Sequence, residues 1–196
     1  MDPGKKEYSG EVFTGLDLKK KALTSKHFTD CLFKSCDLTA AVIRLCVFKD
    51  CRFESCNLSL AALHGSVFSG VTFKDSKLVG VNWTEAAWPR IQLASPVQFE
   101  GCLLNDSVFL GLKLGGTRIT RCLAKGADFR DADLSKADLT HTDFSGALFG
   151  QTDLTGANLD QARNYAIRIS DNKVKGASFS MPEAMALLYC LDIKII

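Results

Sequence analysis

The chain has 196 residues, 46% of them apolar and 23% charged, with 24 Lys and Arg against 22 Asp and Glu. That is enough for one domain with a sizeable core, and a formal net charge of +2 excludes an overall polyanion or a broadly basic nucleic-acid binder. No apolar run is long enough to span a bilayer and the opening MDPGKKEYSG lacks a signal-type core, so the expected setting is cytoplasmic.

Residues 1–7 read as a short charged lead. From Tyr8 onward every fifth residue is large and apolar: Tyr8, Phe13, Leu18, Leu23, Phe28, and so on to Trp83, Trp88 and Leu93. After Pro96 the register moves by one and resumes at Phe99, continuing through Leu159. All 13 phenylalanines fall on this grid, counting Phe179. Five matches neither the 3.6 of a helix nor the 2 of a flat strand. It suits a chain that runs extended, turns a corner and repeats. In an extended piece residues two apart share a side, so the residue two before each grid position should also face inward. Those positions are mostly Ala, Cys, Ser, Thr or Val, whereas the residue just before the grid is often polar.

Spacing by 20 sorts the grid into four columns, among them Phe28, Phe48, Phe68 and Phe13, Phe33, Phe53, Phe73, with Phe109, Phe129 and Phe149 in a later ladder. A three-sided coil would mix these columns. The expected fold is therefore all-β: a right-handed quadrilateral parallel β-helix over residues 8–163, nearly eight coils and ~37 Å long at about 4.8 Å per coil. A register slip near 94–98 interrupts it, and residues 164–196 form a C-terminal segment with a short α-helix.

Cys31, Cys36, Cys46, Cys51, Cys56, Cys102 and Cys122 all stand two before a grid residue, where a small apolar group is needed. Successive positions of this kind lie on different walls, so the thiols do not converge as metal ligands, and no paired CxxC appears. They read as core filler. His27, His64 and His141 fall on outward positions without a paired acid or nucleophile, and no phosphate loop or metal motif is present. Neither catalysis nor a cofactor is expected.

The stretch 82–101 contains both tryptophans and the slip, which reads as a bulged coil or a short projecting loop. Lys113, Arg118, Arg121 and Lys125 read as a solvated face. Residues 126–162 hold seven aspartates against Arg130 and Lys136. Among them Asp128, Asp133, Asp138, Asp143 and Asp153 form a candidate acidic wall. The alternative is that each simply bonds its own backbone at a corner. In the C-terminal segment Ser180 and Glu183 fit a capping box with Pro182 in the first turn, and Ala184, Leu187, Leu188 and Leu191 line one helical face. Met185, Leu188, Tyr189, Ile193 and Ile195 are candidate contacts for a homodimer.

The pattern small-(Asp/Asn)-(Leu/Phe)-polar-x, cleanest in "ADFRDADLSKADLTHTDFSGALFGQTDLTGANL" from Ala127 to Leu159, resembles the pentapeptide repeat family over roughly residues 8–159. The helix followed by "LDIKII" is similar to the C-termini of fluoroquinolone-resistance (Qnr-type) and microcin-immunity members. That resemblance implies a dimerising C-terminus and a rod that imitates duplex DNA toward DNA gyrase or topoisomerase IV, with no direct nucleic-acid or membrane binding. Duplex DNA carries one charge per ~1.7 Å, so full imitation needs about twenty uncompensated acids; the near-neutral balance leaves only a local acidic patch. The alternative function is an interaction scaffold for an unrelated protein partner.

Overall fold

A computed structural model of the chain describes residues 4–88, 96–189 and 191. The backbone winds as a right-handed, four-sided parallel β-solenoid of about eight turns. The first wall stacks Glu7–Ser9, His27–Thr29, Val47–Lys49 and Val67–Ser69. The second runs from Val12–Thr14 and Leu32–Lys34 through to Ile119–Thr120. On the third, single bridges link Asp17, Asp37, Asn57, Lys77, Leu103, Leu123, Asp143 and Arg163. The fourth holds Ala22–Thr24 and Val42–Arg44, then Ala62, Asn82, Val108, Asp128 and Leu148.

The five-residue period has a simple mechanical origin. Three residues make the extended side, with the middle one inward, and two make the corner. The first corner residue is left-handed at turn after turn, with φ from +48° at Asp75 to +70° at Gly176. Pairing between coils is in register, so like stands over like. Phe28 stacks on Phe48 at 5.0 Å between ring centroids, Phe33 on Phe53 at 4.5 Å and Phe109 on Phe129 at 5.0 Å, all within 8° of parallel. Neighbouring columns meet edge to face, as Phe28 does with Phe33 at 73°.

The irregular middle is larger than a one-residue slip. Val71 pairs with Val97 and Phe73 with Phe99, 26 residues apart where other coils take 20. A five-residue period cannot tell one extra residue from six, because six is a full side plus one. Trp83 replaces a leucine in the fourth column and stacks on Phe109. Trp88 donates its indole N–H to the Trp83 carbonyl at 2.8 Å. Leu93 lies outside the described residues.

The cysteines follow a rule that the spacing alone does not reveal. At closed corners the second corner residue donates its N–H to the carbonyl three back, as Ala41 does to Leu38, Ala61 to Leu58 and Ala137 to Leu134. Other corners are open, and there the N–H needs an acceptor from the next coil. Cys36 N–H donates to Cys56 Sγ (3.4 Å), Cys46 N–H to Ser66 Oγ (3.1 Å) and Cys122 N–H to Thr142 Oγ1 (3.2 Å). The acceptor passes its own hydrogen to a carbonyl one coil back: Cys56 to Phe33 (3.3 Å), Thr142 to Ile119 (2.7 Å). Alanine is inert at a closed corner, whereas over the open corners of Cys36, Cys46, Cys56 and Cys122 stands a side chain that both accepts and donates. The seven described cysteines are all buried free thiols.

Parallel stacking continues past residue 163, where the sequence placed the end of the solenoid. Asp153 bridges Lys173, Asn158 pairs with Ser178 and Leu159 with Phe179. The grid fades from view because Asn164 takes the left-handed corner and Tyr165, one residue late, fills the interior. The capping box does not form, since Ser180 Oγ instead accepts the Gln161 N–H at 2.7 Å. The terminal helix begins as a 3-10 turn over Glu183–Met185 and continues as Ala186–Tyr189. Ala186 and Leu187 pack on the last coil, while Leu191, expected on that face, is exposed.

The open-corner rule separates two substitutions of one buried cysteine. Cys56→Ser keeps an acceptor and donor and should cost less than about 1 kcal/mol; Cys56→Ala leaves the Cys36 N–H without its acceptor and should cost about 1–3 kcal/mol. Urea unfolding of the two variants measures the difference, and equal losses would contradict the bridging role.

Candidate interaction surface

Five of the seven aspartates of the acidic segment stand just before an inward grid residue, and the Oδ1 of each accepts the backbone N–H two residues on. The pairs are Asp128–Arg130 (3.1 Å), Asp133–Ser135 (2.9 Å), Asp138–Thr140 (3.2 Å), Asp143–Ser145 (3.0 Å) and Asp153–Thr155 (3.0 Å). Asn57 and Asn158 make the same bond to Ser59 and Asp160 at equivalent places. The bond uses an acceptor oxygen and not the charge, and the position also takes Lys113, Leu123 and Leu148, which make no such bond.

These five residues do not share a wall. Asp128 lies on the fourth, Asp138 on the second and Asp143 on the third; Asp133 and Asp153 stack on the first. A five-residue step advances one side, so a run of aspartates at that step winds around the rod. Four of them also meet basic side chains: Arg130 with Asp128 (2.7 Å), Arg118 with Asp138 (3.9 Å), Arg163 with Asp143 (3.2 Å) and Lys173 with Asp153 (3.1 Å). Arg118, expected as part of a basic face, thus neutralises an acid one coil away, and Arg121 pairs with Glu100. The surface is a mosaic.

The ionisation of the carboxylates fits a structural role. Burial works to raise Asp143, but hydrogen bonds from Ser145 and Asn164, with Arg163 nearby, carry it down to about 2. The Arg130 side-chain hydrogen bond holds Asp128 low, and the Thr155 bond does the same for Asp153. Three thiols move the other way: burial raises Cys46 and pushes Cys51 and Cys56 up to about 12, whereas the Cys122 side-chain hydrogen bond lowers Cys102. His27, His64 and His141 are exposed, and His64 Nδ1 lies 3.2 Å from Glu85 Oε2. Among the described residues no group of three or more His, Cys, Asp or Glu is placed to hold a metal ion, and no helix is long and apolar enough to cross a membrane.

Of the residues singled out for dimerisation, Met185 and Leu188 are half-buried at the cap. Ile193 and Ile195, and the side chain of Tyr189, lie outside what is described. A surface that the five-residue spacing does not bring out is the fourth wall, whose outward column carries Ala22, Val42, Ala62, Val108 and Leu148. Its signal in the sequence is the residue before each grid position, taken at intervals of 20 and of 26 across the irregular coil, where Asn82 and Asp128 interrupt the apolar run.

A pentapeptide repeat region is matched over residues 12–83, and pentapeptide repeats in eight copies over residues 113–151 and 132–163. The chain belongs to the pentapeptide repeat family. Among solved structures it is similar to two trypsin-treated variants of QnrB1, a plasmid-mediated fluoroquinolone resistance protein. One is 19% identical, covering 94% of this chain and all of that one, with a TM-score of 0.68. The other is 20% identical, covering 97% and 92%, with a TM-score of 0.63. HetL, a pentapeptide repeat protein involved in heterocyst differentiation regulation in the cyanobacterium Nostoc sp. strain PCC 7120, is 18% identical, covering 88% and 84%, with a TM-score of 0.54. At these identities the likeness is one of fold. Among curated proteins none matches the chain.

Asp143 supplies a test of the structural reading. Its folded carboxyl at about 2 lies below the unfolded value of about 3.9, so its stabilisation is whole above about pH 4 and is lost as pH falls toward 2. Asp143→Asn keeps the corner acceptor but removes the titration, so its stability should fall less steeply over that window. Parallel pH profiles in urea unfolding would contradict the assignment.

Proposed function

We propose that the chain is a non-catalytic protein-interaction rod. The observation that supports this best is the placement of its reactive groups: the described thiols face the interior, and the carboxylates of the acidic segment hold corners and ion pairs. What remains outside is a set of flat, regularly spaced walls, suited to contact over an extended surface.

DNA gyrase and topoisomerase IV are the partners to test first, given the likeness to a fluoroquinolone resistance protein. Asp133 and Asp153 are the stacked acidic pair to test for a DNA-like contact, with Asp153 sharing its carboxylate with Lys173. The ion-paired mosaic favours the second reading, a scaffold for an unrelated protein. A supercoiling and cleavage assay with and without a fluoroquinolone separates them. Dose-dependent protection or inhibition, weakened by Asp133→Asn with Asp153→Asn, is the result expected for a topoisomerase partner. No effect with the rod in large excess over either enzyme removes that branch and leaves the scaffold.

A further inference from the structure

The fourth wall carries a surface that corner chemistry does not require. Of the nine large hydrophobic residues exposed among the described residues, Val42, Leu45, Leu60, Leu110 and Leu148 lie on this wall or its two edges. Between the edges its outward charges, among the described residues, are Arg44, the His64–Glu85 pair and Asp128 closed on Arg130. Two of the leucines stand where a side chain is costly. Leu45 and Leu60 occupy left-handed corners, with φ of 52° and 59°, that suit Gly, Asn or Asp better. They are 56% and 64% exposed. Each also leans over a glycine of the next coil: Leu45 Cδ2 lies 3.1 Å from where a Cβ on Gly65 would stand, and Leu60 Cδ2 lies 2.8 Å from that of Gly80. Burial against a partner would return the cost of both the conformation and the exposure.

We propose that the fourth wall is a contact between two copies of this chain, laid side by side and parallel, with the twofold axis along the rods. That axis leaves each coil opposite its own copy and exchanges the column before the inward residue with the column after it. Large residues then meet small ones: Leu148 faces Gly150 of the second copy, Leu45 faces Ala40, and Leu60 faces Gly65, where the Leu45 side chain of that copy already leans. Val108 meets Leu110. Asp128 faces Arg130 of the second copy, so two ion pairs close into an alternating ring of four charges. Turned end for end about the middle coil, the same walls would set Arg44 against Arg130, Leu45 against Asp131 and Leu60 against Asp106. Charge and size both select the parallel arrangement. A wall about 13 Å wide and ~29 Å long gives about 400 Å² per copy, about 800 Å² in total and below the ~1,200 Å² at which stable specific interfaces begin, so the dimer is a weak, transient one with a dissociation constant on the order of tens of micromolar.

The test is sedimentation of the full chain from about 1 to about 200 μM, a range that brackets such a constant, with solution scattering to measure particle length. Leu45→Asp with Leu60→Asp is the informative variant, because aspartate already occupies the same two corner columns at Asp131 and Asp106 and is compatible with the fold. An unchanged melting temperature checks this. The expected result is a reversible dimer no longer than a single rod, weakened at least tenfold in the double variant. A chain that stays monomeric throughout overturns the proposal. So does a dimer indifferent to both leucines, or a particle twice the rod length that is lost on Leu188→Asp, which would place the contact at the C-terminal cap.

Discussion

In-register parallel pairing between successive coils is the constraint on which the rest of this structure depends. Because each residue stands over its counterpart one coil away, as Phe33 does over Phe53, a choice made at one position is repeated along a column. Inside, repetition gives aromatic ladders with ring separations near those of stacked strands. Outside, it decides that a wall keeps one chemical character over several coils, so the four walls become distinct surfaces. A run of like residues along the chain, in contrast, is dealt out to all four. The aspartates at 128, 133, 138 and 143 illustrate this: they are close in sequence and diverge in space.

The corner is the second governing element. A side of three residues can turn through a right angle in two only if the first of them is left-handed, and non-glycine residues accept that strain at many corners here. Tight stacking then couples corners in neighbouring coils. The Asp75 carboxylate lies 2.5 Å from where a Cβ on Gly101 would stand, and that of Asp106 lies 2.6 Å from the same point on Gly126. Glycine leaves room there for its neighbour's carboxylate, which would otherwise have to swing aside. Cys stands at open corners and Ala at closed ones, while Ser and Thr serve at both: Ser66, Ser107 and Thr117 bond the carbonyl three back as the alanines do. That division explains a cysteine-rich chain whose described thiols are all free.

Much of this is legible in the residues. The five-residue spacing carries the four columns, the inward position of the cysteines and the outward position of the histidines, because each follows from geometry that repeats. What the spacing cannot carry is anything aperiodic or dependent on a partner. The six-residue insertion before Phe99 imitates a one-residue slip. The shift from Asn164 to Tyr165 hides the last coils, and Ser180 is claimed by Gln161 instead of by its own helix. The expected acidic wall fails for a related reason. Charges counted along the chain ignore both the turn of the rod and the arginines one coil away, Arg118 and Arg163, that meet Asp138 and Asp143. The fourth wall, by contrast, is written in the sequence as an outward column at intervals of 20, and of 26 across the irregular coil, in which Val42, Ala62, Val108 and Leu148 are interrupted by Asn82 and Asp128.

The central claim is that Asp128, Asp133, Asp138, Asp143 and Asp153 maintain the rod and are not a displayed polyanion. Carbodiimide labelling of the native chain, read residue by residue by mass spectrometry, tests it directly. Asp131 and Asp160 are exposed, whereas the side chains of Asp128 and Asp143 are only 14% and 19% accessible and are held by hydrogen bonds and arginines. The expected result is early labelling of Asp131 and Asp160, with Asp128 and Asp143 protected until the chain unfolds. Uniform labelling of all four at one rate would contradict the claim and return the acidic segment to the role of an open, DNA-like surface.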